Sequence, residues 1–443
     1  MPSYRGAAAK LLESAGADVG DRVRVELKKG VFEGLLMPRP ELADDKHLVL
    51  KLPNGYNIGI HVKSVRSVQV LEKGRPPEIS PPSPPPTSPS LPKVAILGTG
   101  GTIASRVDYR TGAVYPAFTA GELYSIVPEL AGIANIEVAE VCRVFSEHMT
   151  PELWVKTGKE VARAVNRGAR GVVVAHGTDT MAYTAAALSF MLKGLFRPVA
   201  LVGSQRSSDR PSSDAALNLI SAVTFAARSD VAEVVVVMHG SMSDDVCLVH
   251  RGTKVRKCHT SRRDAFESVN RSPLAVIKDG EVELLERNYR RAGEKGRVRV
   301  DGKFEPRVIL IKATPGCSSD ILEAAVDLGY RGIVIEGTGL GHAPETMFAG
   351  IRRAIERGVP VVMTSQCIWG RVNMRVYSTG RDLLSMGVIP GEDMLPETAL
   401  VKLMYVLGHT RKMEKVRELM LKNMAGEISE RSLPSDLIRG HPS

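Results

Sequence analysis

A proline-rich segment divides this sequence into parts that cannot belong to one continuous domain. Residues 74–92, GRPPEISPPSPPPTSPSLP, are nearly half proline and show no hydrophobic periodicity. Such a segment cannot bury enough apolar surface to fold, and proline favours the extended polyproline II conformation. Because domain-like sequence lies on both sides, we interpret the segment as a semi-rigid linker. A ligand for a proline-binding module is the alternative interpretation.

The part before the linker, residues 1–73, has the pattern of short β-strands. In RVRVEL, Val23, Val25 and Leu27 alternate with charged residues, which predicts a strand with one buried face. The runs VFEGLLM, HLVLKL and YNIGI follow, and the PNG sequence at 53–55 is typical of a turn. The pattern predicts a small β-barrel of the SH3-like or Sm-like type, whose function the sequence leaves open.

After the linker, apolar runs alternate with helical patterns. KVAIL, GVVVA, PVALVG and EVVVVM are separated by predicted helices, which indicates a parallel sheet covered on both faces. RVILIKATPG, GIVIEGTGLGH and VPVVMTSQ repeat the pattern further along the chain. We therefore predict an N-terminal α/β lobe with the catalytic site over 93–285, a connector over 286–305, and a C-terminal α/β lobe with a helical tail over 306–443.

The composition excludes some classes of protein. No apolar run approaches the length of a membrane span, and the N-terminus lacks a signal-peptide core, so we expect a cytoplasmic protein that does not enter a membrane. The five cysteines are scattered without a C-x-x-C pair, so we expect neither a disulfide framework nor a metal site. The net charge of +10 suits an anionic partner such as RNA, although a merely basic surface is the alternative.

The stretch GTGGTI at 98–103 follows a predicted strand and contains the glycines of a possible nucleotide loop. However, Ile103 occupies the third glycine position of a dinucleotide fingerprint, and no Gly-Lys-Ser/Thr ending completes a P-loop. GTGLGH, which begins at Gly337, is incomplete in the same way. We therefore expect no nucleotide cofactor in this chain.

Two threonines follow predicted parallel strands, Thr102 after KVAIL and Thr178 after GVVVA. In such sheets ligands bind beyond the carboxyl ends of the strands. A hydroxyl nucleophile also needs a base and oxyanion donors. Candidate partners are Asp179, Lys254, Lys257 and His259. Considered separately, a Thr-Asp pair is typical of a helix cap, and a Lys/Arg cluster is typical of a solvated surface.

Considered together, three blocks resemble the L-asparaginase family. These are GTGGTIA around Thr102, AHGTDTMAYTAAAL around Thr178, and LVGSQRSSDRPSSDAALNL after it, and the resemblance covers about residues 93–410. It implies a two-lobed α/β core with parallel sheets, an acyl-threonine intermediate and the release of ammonia. It also implies that Thr102 is the nucleophile. Thr178, Asp179 and Lys257 would form a second threonine site, in which the lysine relays a proton.

The same resemblance implies a set of substrate-binding residues. Ser146 would hold the α-carboxylate of the substrate, and Asp179 would face its α-amino group. Backbone amides of the glycine turn, which includes Gly101, would hold the developing oxyanion. Tyr115 and Phe118 are both candidates for the aromatic residue of the first loop, and we prefer Tyr115.

Other features distinguish this chain from a simple asparaginase. Glu147, which the resemblance implies as a further substrate-binding residue, stands where secreted asparaginases usually carry glutamine. The added barrel and linker, with KVRKCHTSRRDAFESVN and NMRVYSTGRDLL, closely resemble the D-subunit family of archaeal glutamyl-tRNA(Gln) amidotransferases. Alternatives are a stand-alone cytoplasmic L-asparaginase and an RNA- or protein-binding scaffold with an inactive core.

The resemblance to this D-subunit family implies a division of labour between two chains. This chain would hydrolyse glutamine or asparagine without a cofactor and release ammonia. A second chain, the E subunit of the amidotransferase, would use ATP and magnesium to amidate Glu-tRNA(Gln). The expected assembly has two D and two E subunits around a D homodimer.

Overall fold

The structure is a computed structural model that describes residues 4–28, 30–39, 44–53, 57–74, 87–100, 105–107, 114–116, 127–206 and 213–432. The chain divides into two compact units. One comprises Met1–Ser83 with Ser105–Ala117, and the other comprises Pro84–Ala104 with Phe118–Ser443. The five segments into which we divide the sequence stay a prediction.

The first unit contains a small antiparallel sheet. Its elements are α1 (Gly6–Ser14), β1 (Arg22–Leu27), β2 (Val31–Leu36), β3 (His47–Lys51), β4 (Asn57–His61) and β5 (Val65–Glu72). The strands are ordered β4-β3-β2-β1-β5. Val23 and Val25 are fully buried and alternate with exposed residues, as predicted. Helix α1, which was not predicted from the sequence, adds Ala8 and Leu12 to the same core.

The second unit begins with β6 (Lys93–Gly98), and a hairpin of β7 (Ser105–Val107) and β8 (Val114–Pro116) groups with the first unit. The strands that follow are β9 (Asn135–Glu140), β10 (Gly171–Ala175), β11 (Leu192–Lys193), β12 (Val199–Val202), β13 (Val234–His239), β14 (Cys247–Arg251), β15 (Val255–Lys257), β16 (Phe266–Ser268), β17 (Ala275–Lys278), β18 (Glu281–Leu284) and β19 (Arg299–Val300). The helices among them are α2 (Pro151–Asn166), α3 (Met181–Met191) and α4 (Ala215–Arg228).

Eight of these strands form one sheet in the order β18-β17-β14-β13-β12-β10-β6-β9. Neighbours from β9 to β13 are parallel, and β10, β12 and β13 are buried along their whole length. This burial is the reason that their sequences are continuously apolar. The predicted parallel-sheet core is confirmed. Strands β14, β17 and β18 extend it with an antiparallel edge that was not predicted from the sequence.

The C-terminal lobe has its own parallel sheet, which confirms the predicted two-lobed α/β architecture. The sheet contains β20 (Val308–Lys312), β21 (Gly332–Gly337), β22 (Val361–Ser365) and β23 (Ile389–Pro390). The helices are α5 (Asp320–Asp327), α6 (Phe348–Glu356), α7 (Ser378–Ser385), α8 (Pro396–Leu407) and α9 (Met413–Leu421). Among the helices that the structure describes, none has the length and apolar character that a membrane crossing requires.

The parallel strands of the large sheet all begin at one side of the sheet and end at the other. Gly98 of β6 pairs with Ala175 of β10 and with Glu140 of β9, so the loops after these three parallel strands leave the sheet at one edge. We call this the carboxyl edge. Helices α2, α3 and α4 return the chain to the opposite edge, which we call the amino edge.

Candidate active site

Lys257 joins two polar side chains at the carboxyl edge. Its Nζ donates to Thr178 Oγ1 at 2.8 Å and to Asp179 Oδ1 at 2.7 Å. Thr178 is buried, whereas the Asp179 side chain is 68% exposed. One amino group therefore links a hydroxyl shielded from water to a carboxylate that an entering molecule can reach. Such an arrangement can orient the hydroxyl and exchange a proton with it.

A buried histidine holds the loop that carries Thr178. His176 Nδ1 lies 2.6 Å from the Gly177 carbonyl oxygen, and its Nε2 lies 2.8 Å from Thr184 Oγ1 in helix α3. Burial lowers the pKa of His176 to about 4, so the ring is neutral near pH 7. Because a carbonyl oxygen only accepts, we assign the proton to Nδ1 and let Nε2 accept from Thr184. The loop is thereby fixed to the helix that follows it.

The hairpin of β15 and β16 holds Lys257 from the other side. Lys257 pairs with Phe266 in this hairpin, and Cys258 N–H donates to the Ala265 carbonyl at 2.7 Å. Arg256, the preceding residue, forms an ion pair with Glu397 of helix α8 at 3.2 Å. Neighbouring residues of one short strand therefore contact the candidate site and the C-terminal lobe.

The other two cationic candidates in this region have different environments. Lys254 is fully buried, and its Nζ lies 2.6 Å from Asp393 Oδ2 in the C-terminal lobe. His259 is exposed, and its Nδ1 accepts from the N–H groups of Ser261 and Arg262. Only Lys257 among the three contacts Thr178 or Asp179 in the described part of the chain.

The described part of the glycine turn shows why position 100 must be glycine. Gly100 has φ +117°, and a Cβ at this position would collide with the carbonyl oxygen of Val144. Thr99 N–H and Oγ1 both donate to the Ala175 carbonyl, at 3.0 and 2.9 Å. The turn is thus pressed between the loop after β9 and the end of β10, where an L-side chain does not fit.

Ser146 lies beside Thr178 on the same edge. It begins a 3-10 turn, Ser146–His148, and is 5% exposed. A Cβ at Gly177 would lie 3.0 Å from Ser146 Oγ, so this glycine permits the close approach of the two loops. Thr180 Oγ1 donates to the Ser146 carbonyl at 2.5 Å and fixes the contact. Glu147, by contrast, is exposed.

A carboxylate fixes the loop after β12 at the same edge. Asp214 accepts the N–H groups of Gln205 and Arg206, each at 2.9 Å, and is fully buried. Asn218 Nδ2 donates to Asp214 Oδ2 and to the Gly203 carbonyl, both at 3.0 Å. These contacts explain structurally why the block LVGSQRSSDRPSSDAALNL contains Asp214 and Asn218.

The structure brings Thr178, Asp179, Lys257 and Ser146 to one edge, and their catalytic and binding roles stay predictions. Tyr115 lies in β8, where only the backbone is described. Gly101, Thr102 and Phe118 lie outside the described residues. His176 and Thr180 were not predicted from the sequence, since their importance depends on contacts that only the fold creates. The feature of the sequence that could have indicated them is their position inside the block AHGTDTMAYTAAAL.

Comparisons with known families agree with this architecture. Residues 93–290 match the family model "Asparaginase, N-terminal", and residues 307–420 match "Glutaminase/Asparaginase C-terminal domain". Residues 17–71 match "GatD N-terminal domain". The three matches together include both lobes and most of the small antiparallel sheet.

Solved structures are similar to the α/β lobes. The thermostable L-asparaginase from Thermococcus kodakarensis is 38% identical, with a TM-score of 0.69, and the match covers 76% of this chain and 100% of that one. L-asparaginase I from Vibrio cholerae is 31% identical, with a TM-score of 0.66, over 77% of this chain and 100% of that one. These likenesses place the lobes in the asparaginase fold.

Curated relatives match almost the whole chain. The D subunit of the glutamyl-tRNA(Gln) amidotransferase of Pyrococcus abyssi is 58% identical over 95% of this chain and 97% of its own length. The protein of the same name from Methanothermobacter thermautotrophicus is 55% identical over 97% of this chain and 98% of its own length. The chain therefore belongs to the D-subunit family of glutamyl-tRNA(Gln) amidotransferases.

Proposed function

We propose that this chain is the glutamine-hydrolysing subunit of an amidotransferase that converts Glu-tRNA(Gln) to Gln-tRNA(Gln). The observation that carries the proposal is the contact of Lys257 with Thr178 and Asp179, in a chain similar over almost its whole length to relatives of the D-subunit family. The small N-terminal sheet supports this activity over that of a stand-alone enzyme. The L-asparaginase from Thermococcus kodakarensis matches only 76% of this chain.

The proposed chemistry is amide hydrolysis in two steps. The hydroxyl of Thr102 attacks the carboxamide carbon of glutamine, and the C–N bond breaks as ammonia leaves with the hydroxyl proton. Water then attacks the acyl-threonine ester, which releases glutamate and returns the proton to the threonine. Backbone amides at the glycine turn, including that of Gly101, stabilise the oxyanion of both steps.

The residues around Thr178 serve proton transfer and substrate binding in this proposal. Lys257 relays the proton of the nucleophile through Thr178, and the Asp179 carboxylate stabilises the charge on its amino group. Asp179 also receives the α-amino group of glutamine on its exposed side. Ser146 holds the α-carboxylate, and Tyr115 and Glu147 complete the substrate-binding set.

We assign the remaining chemistry to a partner chain in the cytoplasm. Ammonia passes to this partner, the E subunit, which uses ATP and magnesium to amidate Glu-tRNA(Gln). The absence of a complete P-loop from this sequence supports the assignment of ATP to the partner. The proposed assembly contains two D and two E subunits around a D homodimer.

Ammonia release tests the proposal. The purified chain is assayed with glutamine and with asparagine, each alone and with the E-type partner and Glu-tRNA(Gln). We expect hydrolysis of glutamine that rises when the partner and the charged tRNA are present. Rapid hydrolysis of asparagine that ignores both additions would instead identify a stand-alone L-asparaginase.

A further inference from the structure

The amino edge of the large sheet, opposite the candidate active site, carries a concentration of positive charge. The segment that connects the two lobes passes along this edge and contains a single acidic residue, Glu294, between 287 and 299. Eight basic side chains, which we call the connector face, lie on or beside the segment: Lys193, Arg197, Arg287, Arg290, Arg291, Lys295, Arg297 and Arg299.

Contacts along its length hold the connector against the ends of two helices. Arg299 pairs with Lys193, just after helix α3, in the small sheet of β11 and β19. Gly293 N–H donates to the Phe196 carbonyl at 3.2 Å. At the end of helix α2, the Asn166 side chain makes two hydrogen bonds of 2.9 Å with the backbone of Val298. The connector face is therefore a fixed surface.

Most of this charge lacks a neutralising carboxylate. Within the described residues, Arg291 is the only member of the connector face that forms an ion pair, with Asp230 at 2.9 Å. Arginines at helix C-termini are commonly explained by the helix dipole, and Arg228 at the end of α4 fits that explanation. It does not apply to the connector, whose arginines lie outside helices. A row of unpaired cations attracts a polyanion.

A cavity with a distinctive lining opens beside this charge. It has a volume of about 400 Å³, and its lining includes Lys193, Lys422, Asn423, Tyr405 and His409. The Lys193 Nζ lies 4.9 Å from the centroid of the Tyr405 ring. Ammonium groups next to the exposed His409 ring suit a nucleotide, whose phosphate meets the cations while its sugar or base meets that ring. An acidic protein surface would need the charge but not this cavity.

We propose that the connector face binds the phosphodiester backbone of RNA, with one nucleotide at the cavity beside Lys193. Because this inference rests on the proposed function, the RNA is the tRNA substrate. Contacts to the backbone position an RNA without reading its sequence. Since the amino edge lies a strand length of about 17–20 Å from the carboxyl edge, the surface docks the body of the tRNA away from the glutamine site.

Removal of three charges from the connector face tests this proposal. The variant Arg290→Gln/Arg297→Gln/Arg299→Gln is compared with Arg331→Gln/Arg352→Gln/Arg357→Gln, which removes the same charge from exposed positions of the C-terminal lobe. Binding of full-length chain to an unacylated tRNA(Gln) transcript is followed by fluorescence anisotropy over a range of salt concentrations. Ammonia release from glutamine is measured on the same samples.

We expect the connector variant to bind the transcript roughly tenfold or more weakly at about 0.1 M salt, with a salt slope reduced by about 2–3. The control variant should stay within about twofold of the wild type, and both should hydrolyse glutamine normally, which also shows that they fold. Equal tRNA affinity in the two variants, or no binding by the wild-type chain, would overturn the inference. So would a connector variant that binds tRNA normally but no longer associates with a protein partner. Failure of the wild type to hydrolyse glutamine would instead contradict the proposed function.

Discussion

Lys254 and Asp393 form an ion pair that water does not reach. Nζ lies 2.6 Å from Oδ2, and the two side chains are 0% and 1% exposed. The pair joins the N-terminal lobe to the C-terminal lobe three residues before Lys257. Asp393 Oδ1 also accepts the Ser429 N–H at 2.9 Å, so the same carboxylate holds the C-terminal tail. The strand that presents Lys257 is thus anchored by residues distant in sequence.

Removal of this carboxylate should be costly. Asp393→Ala leaves a buried ammonium group without its partner, and we expect the free energy of unfolding to fall by about 3–5 kcal/mol in urea titrations. The matched control is Glu418→Ala, which breaks an exposed pair with Lys415 and should cost less than about 1 kcal/mol. The double variant Lys254→Met/Asp393→Leu should recover only part of the loss, because it removes the unpaired charge but leaves the Ser429 N–H without its acceptor. Equal costs for the buried and the exposed carboxylate would contradict this interpretation.

Gly100 should be less tolerant of a methyl group than another glycine with positive φ. Gly280 has φ +77° and open space around it, so Gly280→Ala bears only the backbone cost of about 1–2 kcal/mol. Gly100→Ala also forces Cβ against the Val144 carbonyl, and we expect a further loss of about 1–3 kcal/mol. Urea unfolding of the two variants measures the difference. Similar costs would show that the backbone of Val144 can move away.

His176 should make stability fall as the solution becomes acidic. Its pKa is about 4 in the folded protein and about 6.5 when unfolded, so between these values the unfolded chain binds the additional proton. The neutral ring therefore makes its full contribution to the free energy of unfolding above about pH 6.5. This contribution decreases by about 3 kcal/mol as the pH falls to about 4.

Unfolding free energies measured across this pH range check the prediction. His176→Gln should remove most of this component of the pH dependence, while the exposed control His148→Gln should keep it. An unchanged slope in His176→Gln would show that other groups cause the acid sensitivity.

The sequence predicted most of the architecture because its signals were local. Val23 and Val25 alternate with charges, and the apolar strands of the large sheet run without interruption, as two-sided burial requires. Helix α1 was missed because its short run GAAAKLL acquires an apolar role only against the sheet. The antiparallel edge was missed because β14 and β17 are short strands that end in a charged residue, Arg251 or Lys278, and so lack the uninterrupted apolar run of the central parallel strands.

The candidate site was predictable only in part. A family motif marked Thr178, Asp179 and Lys257, whereas charge and spacing alone could not separate Lys257 from Lys254. The distinction comes from the tertiary contacts, which bury Lys254 against Asp393 and direct Lys257 to Thr178. His176 and Thr180 carried no independent signal, because their hydrogen bonds link loops that are distant until the sheet forms.

The most direct test of the central claim is ammonia release from glutamine by Lys257→Met and Thr178→Val, with the exposed Lys412→Met as control. If Lys257 and Thr178 transfer the proton of the nucleophile, each variant should lose at least about 100-fold in kcat, and the double variant little more. The control should turn over like the wild type. Wild-type turnover by a folded Lys257→Met chain would contradict the account.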